Sequence, residues 1–203
     1  MYLSRLILNL RQRKVREHLA DRFELHRTIM SGFPTTLAEG ERVLFRVETA
    51  EREIETKVLV QSQLAPDWGQ SVVLNSTGYL MQTPLVRPVV AQAVVGQRVP
   101  FRLQANPTFK HKGKRQAHYT EVQALDWLLR KGEQHGFALQ PLDVRVNMMG
   151  KVFGKKRQQT WFIAQFDGVL TITDARFEQA LVEGIGSAKA FGFGLLSIPY
   201  APA

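Results

Sequence analysis

Cysteine is absent from all 203 residues, which excludes disulfides and thiolate metal sites. Acidic residues are scarce beside basic ones: 18 Asp and Glu stand against 27 Lys and Arg, for a formal charge of +9 and a pI near 10.1. That excess says little about fold, but it favours polyanionic partners. Nucleic acid is the leading class, and a ribosome-associated or membrane-surface role also fits. Long apolar runs are missing too. Residues 1–9 are apolar but short, and Arg5 interrupts them, so they lack the h-region of a secretory signal. No segment approaches the roughly 18 apolar residues of a membrane span, so no membrane partner is expected and the expected location is cytoplasmic. What the chain does have is an ordinary share of hydrophobic residues, 44%. This suits a packed protein of one large domain or two of about 100 residues each.

Residues 2–9 read as an apolar opening strand, followed by Arg11-Gln-Arg-Lys-Val-Arg16. This charge run is either a solvated loop or a surface that meets a phosphate backbone. Asp21 can cap a helix over residues 22–32, which Gly32 and Pro34 end. At helical spacing Leu25 and Ile29 share a core-facing side, while Phe23, His26, Arg27 and Met30 fall on another arc. An imidazole and a guanidinium therefore lie side by side, away from the main apolar stripe. Strands are expected at 43–48, 57–61 and 76–82, with a turn or short helix starting at Pro66, and residues 84–96 read as a linker.

The second half repeats the order. Residues 98–105 alternate as a strand that Asn106-Pro107 ends, and a basic loop, Lys110-His-Lys-Gly-Lys-Arg115, comes next. A helix is expected over 120–133, then strands at 144–153 and 160–173 with a turn or bulge at Asp167-Gly168. Between those strands lies a hairpin tip carrying Lys151, Lys155, Lys156 and Arg157, a natural probe for a groove lined with phosphates. Asp174 caps a final helix, which leads into a glycine-rich loop and a last strand. The pattern predicts an α+β protein of two βαββαβ halves, residues 1–88 and 95–203, each like a ferredoxin-like or RRM-type sheet.

The loop is Gly184-Ile-Gly-Ser-Ala-Lys-Ala-Phe-Gly-Phe-Gly194. Glycine at positive φ lets consecutive N–H groups form a concave anion site, and Lys189 adds a charge. The glycines follow a helix and precede a strand, the reverse of the dinucleotide fingerprint, so contact with a polynucleotide backbone is the better functional reading. A tight connection with glycines needed only for packing stands beside it. His111, His118, His135 and His18 read as surface residues.

Met1-Tyr-Leu-Ser4, Phe23-Glu-Leu-His-Arg-Thr28, Phe101-Arg-Leu-Gln-Ala-Asn-Pro107 and Phe166-Asp-Gly-Val-Leu-Thr-Ile172 occur in the order seen in one family. With the glycines of 184–194, nearly the whole chain resembles the CasE-type CRISPR repeat endoribonucleases of the RAMP superfamily. The resemblance implies a tandem ferredoxin-like fold and a cofactor-free, metal-independent cut within each repeat hairpin of CRISPR precursor RNA. The RNA's own 2′-hydroxyl would be the nucleophile, leaving a 2′,3′-cyclic phosphate. Expected partners are the repeat hairpin RNA and the other subunits of Cascade. The family's catalytic histidine maps onto His26, with Arg27 or Lys189 supporting the phosphate. RNA binding falls to Lys151, Lys155, Lys156 and Arg157 and to the loop at Gly184, Gly186, Gly192 and Gly194. One departure stands out: many members carry tyrosine where this chain has Phe23, which can stack but cannot transfer a proton. The alternative is therefore a non-catalytic RNA-binding subunit of the same superfamily.

Overall fold

The computed structural model describes residues 1–48, 53–155 and 158–202; Lys156 and Arg157 of the expected hairpin tip lie outside them. The apolar segments pair into two antiparallel sheets. In the first half, β1 (Tyr2–Asn9), β2 (Val43–Val47), β3 (Glu55–Ser62) and β4 (Leu85–Val90) lie side by side in the order β4-β1-β3-β2. In the second, β5 (Arg98–Ala105), β8 (Phe137–Gly154), β9 (Gln159–Ile172) and β10 (Leu196–Ser197) take the equivalent order β10-β5-β9-β8. Each sheet places its first strand between its third and fourth, the ferredoxin-like arrangement. The fold is a tandem ferredoxin-like α+β architecture.

Helices cover one face of each sheet. α1 (Arg13–Ala20) and α2 (Arg22–Met30) serve the first, and α3 (Glu121–Gln134) and α4 (Arg176–Glu183) the second. Leu25 and Ile29 of α2 are buried with Leu6, Leu8, Val58 and Val60 in the first core. Ala124, Leu128, Phe177 and Leu181 meet Phe101, Leu103 and Phe166 in the second. Thr120 caps α3 by accepting from the Gln123 N–H, and the Asp174 carboxylate accepts from the Arg176 N–H at the start of α4. Both helices lie close to where capping and periodicity predict them.

Several expectations need correction or refinement. The charge run 11–16 is not an open loop, because α1 begins within it. Only Val15 of this helix is fully buried, so no apolar stripe announces it, and an Arg13–Glu17 pair one turn apart helps hold it. The strand expected at 76–82 contributes a single bridge, Leu80 to Leu8. The fourth strand is β4, inside the expected linker, where its mostly exposed side chains leave no alternation to read. The expected turn or helix after Pro66 is one 3₁₀ turn, Trp68–Gln70, capped by Asp67. The basic loop 110–115 is a hairpin of β6 (Thr108–His111) and β7 (Lys114–Ala117), turned through Lys112 and Gly113 at φ 47° and 76°. Gly168 sits inside a continuous β9, opposite the point where β8 shifts register between Leu139 and Val144, so the bulge belongs to the partner strand.

The halves are tied together in two ways. A short terminal strand, β11 (Ala201–Pro202), returns to pair with β4, so the end of the chain completes the first sheet. Arg46 of β2 is 3% exposed. It donates to Glu48 and also to the Leu195 and Arg102 carbonyls and the Ser197 hydroxyl of the second half. Among the described residues no helix is long and apolar enough to cross a membrane.

Candidate active site

α2 is held at its start by Asp21, whose Oδ1 accepts from the Phe23 N–H at 3.1 Å. The same oxygen accepts from the Lys155 N–H at 3.3 Å, so one cap fixes the helix and ties it to the turn of the β8–β9 hairpin. With Leu25 and Ile29 in the core, Phe23 and His26 emerge three residues apart toward the glycine loop. Phe23 packs edge-on against Phe191 of that loop, with ring centroids 4.7 Å apart, and Phe191 stacks on Trp161 of β9, also at 4.7 Å. The His26 ring lies edge-on to the same Phe191 at 5.9 Å.

The loop conformation decides what faces His26. Gly184, Gly186, Gly192 and Gly194 all have φ between 74° and 90°, and Ala188 shares this left-handed region. The neck is closed by Ile185 donating to the Gly194 carbonyl and Gly194 donating to the Gln104 carbonyl of β5. A Cβ on Gly184 would lie 2.7 Å from the Gly194 oxygen, and one on Gly194 would lie 2.6 Å from the Ile185 oxygen. Gly184, Gly192 and Gly194 are buried, and the Gly192 and Gly194 N–H groups bond within the protein. The packing reading describes these three. They shape the loop, and of the four only Gly186 reaches the surface.

Between the necks lies a 3₁₀ turn, Lys189–Phe191. His26 and Lys189 line one cavity of about 260 Å³, together with Met30, Glu41, Arg42 and Ala190. The two residues are 163 positions apart, and the fold brings them together. Burial pushes the His26 imidazole below its ordinary value of 6.5, with the backbone of Ala190 acting the other way. The ring is therefore neutral at neutral pH and able to accept a proton. Burial also lowers the Lys189 ammonium, opposed by Glu183. Arg27 does not share this cavity. It is exposed and paired with Glu24 at 3.1 Å.

Around this centre, Lys151 lies over the Phe162 ring at 5.1 Å, and Lys155 is exposed where the hairpin turns. Sequence reasoning missed Arg22, one helical turn before His26. It is only 6% exposed, its Nε and Nη1 have no hydrogen-bond partner among the described residues, and burial pushes it down to about 10. Its guanidinium lies 5.9 Å from the Phe193 ring centre. No sequence signal marks it, since an arginine at a helix start reads as solvated. Arg42 and Glu41, from the segment before β2, were missed for the same reason. His18, read as a surface residue, is half-buried and bonds to Thr28 and Tyr79, a structural role. Among the described residues no three His, Asp or Glu side chains gather as a metal site.

Comparison with known proteins identifies the family. The family described as "CRISPR associated protein" matches residues 1–199. The chain is 36% identical to CRISPR-associated endoribonuclease Cse3 of Thermus thermophilus, over 98% of this chain and 99% of that protein. It is 31% identical to CRISPR system Cascade subunit CasE of Escherichia coli, over 98% of each. The solved structure of Thermus thermophilus Cse3 bound to an RNA representing a pre-cleavage complex superposes with a TM-score of 0.84 at 33% identity, covering 98% of each chain. The chain belongs to the CRISPR-associated Cse3/CasE endoribonuclease family.

Proposed function

We propose that this protein is an endoribonuclease that cuts CRISPR precursor RNA within the repeat hairpin, without a metal, and stays bound as a subunit of Cascade in the cytoplasm. The observation that carries this reading is the shared cavity of His26 and Lys189. Attack by a ribose 2′-oxygen on the adjacent phosphorus needs an acceptor for the hydroxyl proton, and the neutral His26 ring fits. The new O2′–P bond and the breaking P–O5′ bond pass through a phosphorane with added negative charge. Lys189 stands where it can offset that charge, and the unpaired Arg22 adds positive potential beneath it. The leaving 5′-oxygen must gain a proton, and Lys189, its ammonium made more acidic by burial, is the acid in the same cavity. The products are a 2′,3′-cyclic phosphate and a 5′-hydroxyl.

Residues 1–88 would supply the cutting helix, and 95–203 the basic hairpin and the glycine loop. Lys151 and Lys155, with Lys156 and Arg157 beyond them, would follow the phosphates of the A-form stem, whose deep groove side chains read poorly. Arg27 takes no direct part in this scheme, since it pairs outward with Glu24. Phe23 supports a second reading, a binding subunit without turnover, because its ring offers no proton. Incubation with a repeat hairpin RNA in EDTA, followed by analysis of product ends, separates the two. A single cut leaving a cyclic phosphate, blocked by a 2′-deoxy substitution at the cut site, is expected. Tight binding with no cut across several cognate repeats would leave only the binding role.

A further inference from the structure

Lys189 lines more than the His26 cavity. A second cleft of about 420 Å³ lies between the glycine loop, the β6–β7 hairpin and the last turn of α3. Lys110 and Arg115 reach it from the hairpin, Lys131 and His135 from the helix end, and Lys189 from the loop, and among the described residues no carboxylate lines it. Among the described residues none of these five makes an ion pair. They also oppose one another: after burial, the charge of Arg115 weighs on Lys131, and that of Lys131 on His135 and Lys189. Glu183, outside the lining, is the counter-charge acting on His135 and Lys189. Lys131 donates to the Gln134 side chain at 2.7 Å, but cations held together without a paired carboxylate fit a ligand that brings the negative charge.

Thr108, Arg115, Ser187 and Ala188 are shared with a third cleft, of about 710 Å³. Its walls include Trp161, Phe162, Phe191 and Tyr119. Tyr119 is 62% exposed, yet it is held edge-on against Phe162 at 4.6 Å, so its other surface is free and rigid. A track therefore runs from His26 past Lys189, through a cationic cleft, into an aromatic one. Cations for phosphates beside aromatic faces for bases is the pattern of single-strand binding. A duplex stem keeps its bases stacked and cannot offer them to such walls.

We propose that these two clefts bind the single-stranded RNA that leaves the foot of the repeat hairpin, with phosphates against Lys110, Arg115 and Lys131 and an unstacked base against Tyr119. The proposal rests on the RNA-cutting function above and deepens it: the β6–β7 hairpin becomes a strand guide that continues the cutting site.

The test uses the full chain and two RNAs made uncuttable by a 2′-deoxy substitution: the hairpin alone, and the hairpin with single-stranded extensions. Wild type should bind the extended RNA more tightly. The combined variant Lys110→Gln, Arg115→Gln, Lys131→Gln leaves Lys189 intact. It should lose about tenfold or more on the extended RNA, lower the salt slope by about 2, and bind the bare hairpin as wild type does. Tyr119→Ala should lose about fivefold or more on the extended RNA alone, with an unchanged salt slope. Equal losses on both RNAs, or no loss on the extended one by a variant that melts like wild type, would overturn the proposal. Wild type binding neither RNA would instead overturn the RNA-cutting reading beneath it.

Discussion

The two halves meet along two seams that carry buried arginines, and only one of the seams is electrically closed. At the first, Arg46 spends its donors on Glu48, two carbonyls and a hydroxyl. Glu48 also meets Arg102, and Arg102 meets Asp167 at 2.5 Å. At the second, where α2 faces the glycine loop, Arg22 is almost as deeply buried but keeps two nitrogens without a partner. His26 and Lys189 open beside it into a cavity. A guanidinium left unsatisfied in a protein interior costs stability. The closed seam joins the halves, whereas the open one holds positive charge ready for a phosphate.

The largest way to break this contrast is at the open seam. His26→Ala should slow cutting by roughly 10²–10⁴-fold, the usual contribution of a positioned proton acceptor. RNA affinity measured by anisotropy should stay nearly unchanged, and a variant that cuts at the wild-type rate would remove His26 from the chemistry. At the closed seam, Arg46→Met should cost about 3–5 kcal/mol in denaturant unfolding, because it strands part of Glu48 and two carbonyls. A loss within the scatter of surface substitutions would mean that this network does not join the halves.

Arg22→Met sharpens the comparison, since the same substitution should act with the opposite sign. Removing an unpaired buried charge should raise unfolding stability by about 1 kcal/mol, while RNA affinity falls several-fold. Lower stability would show that Arg22 is satisfied in place. The smallest effect is on pH. Burial holds His26 below 6.5, so the unfolded chain takes up its proton first as pH falls. The stability linked to its burial is present above 6.5 and is lost as pH drops through the depressed value. The acid limb of the cutting rate should likewise lie below 6.5. Phe191→Ala, which uncovers the ring, should move that limb up toward 6.5, and an unmoved limb would separate the burial of His26 from Phe191.

Much of the fold was legible because its signals are local. Alternation in residues 98–105, the Asp21 and Thr120 caps, and the Leu25–Ile29 stripe each depend on a few neighbouring residues. Helix α1 and strand β4 were not legible: one buries little beyond Val15, the other turns most side chains outward, and neither writes a period into the sequence. At the site, helical spacing alone put Phe23 and His26 on one face. The same spacing set Arg27 beside His26, but there its pairing with Glu24 turned it outward.

By itself the sequence determined the basic charge, the βαββαβ order of the second half, the helix that carries His26 and the run of glycines. Each is a matter of composition or short-range geometry. Only the tertiary structure decided that Lys189, and not Arg27, shares a cavity with His26. It also decided that three of the four glycines are spent on shaping the loop, and that Arg22 is buried with two nitrogens unbonded among the described residues. Those outcomes depend on how two sheets dock and how a left-handed turn closes against β5, through contacts between residues far apart in the chain.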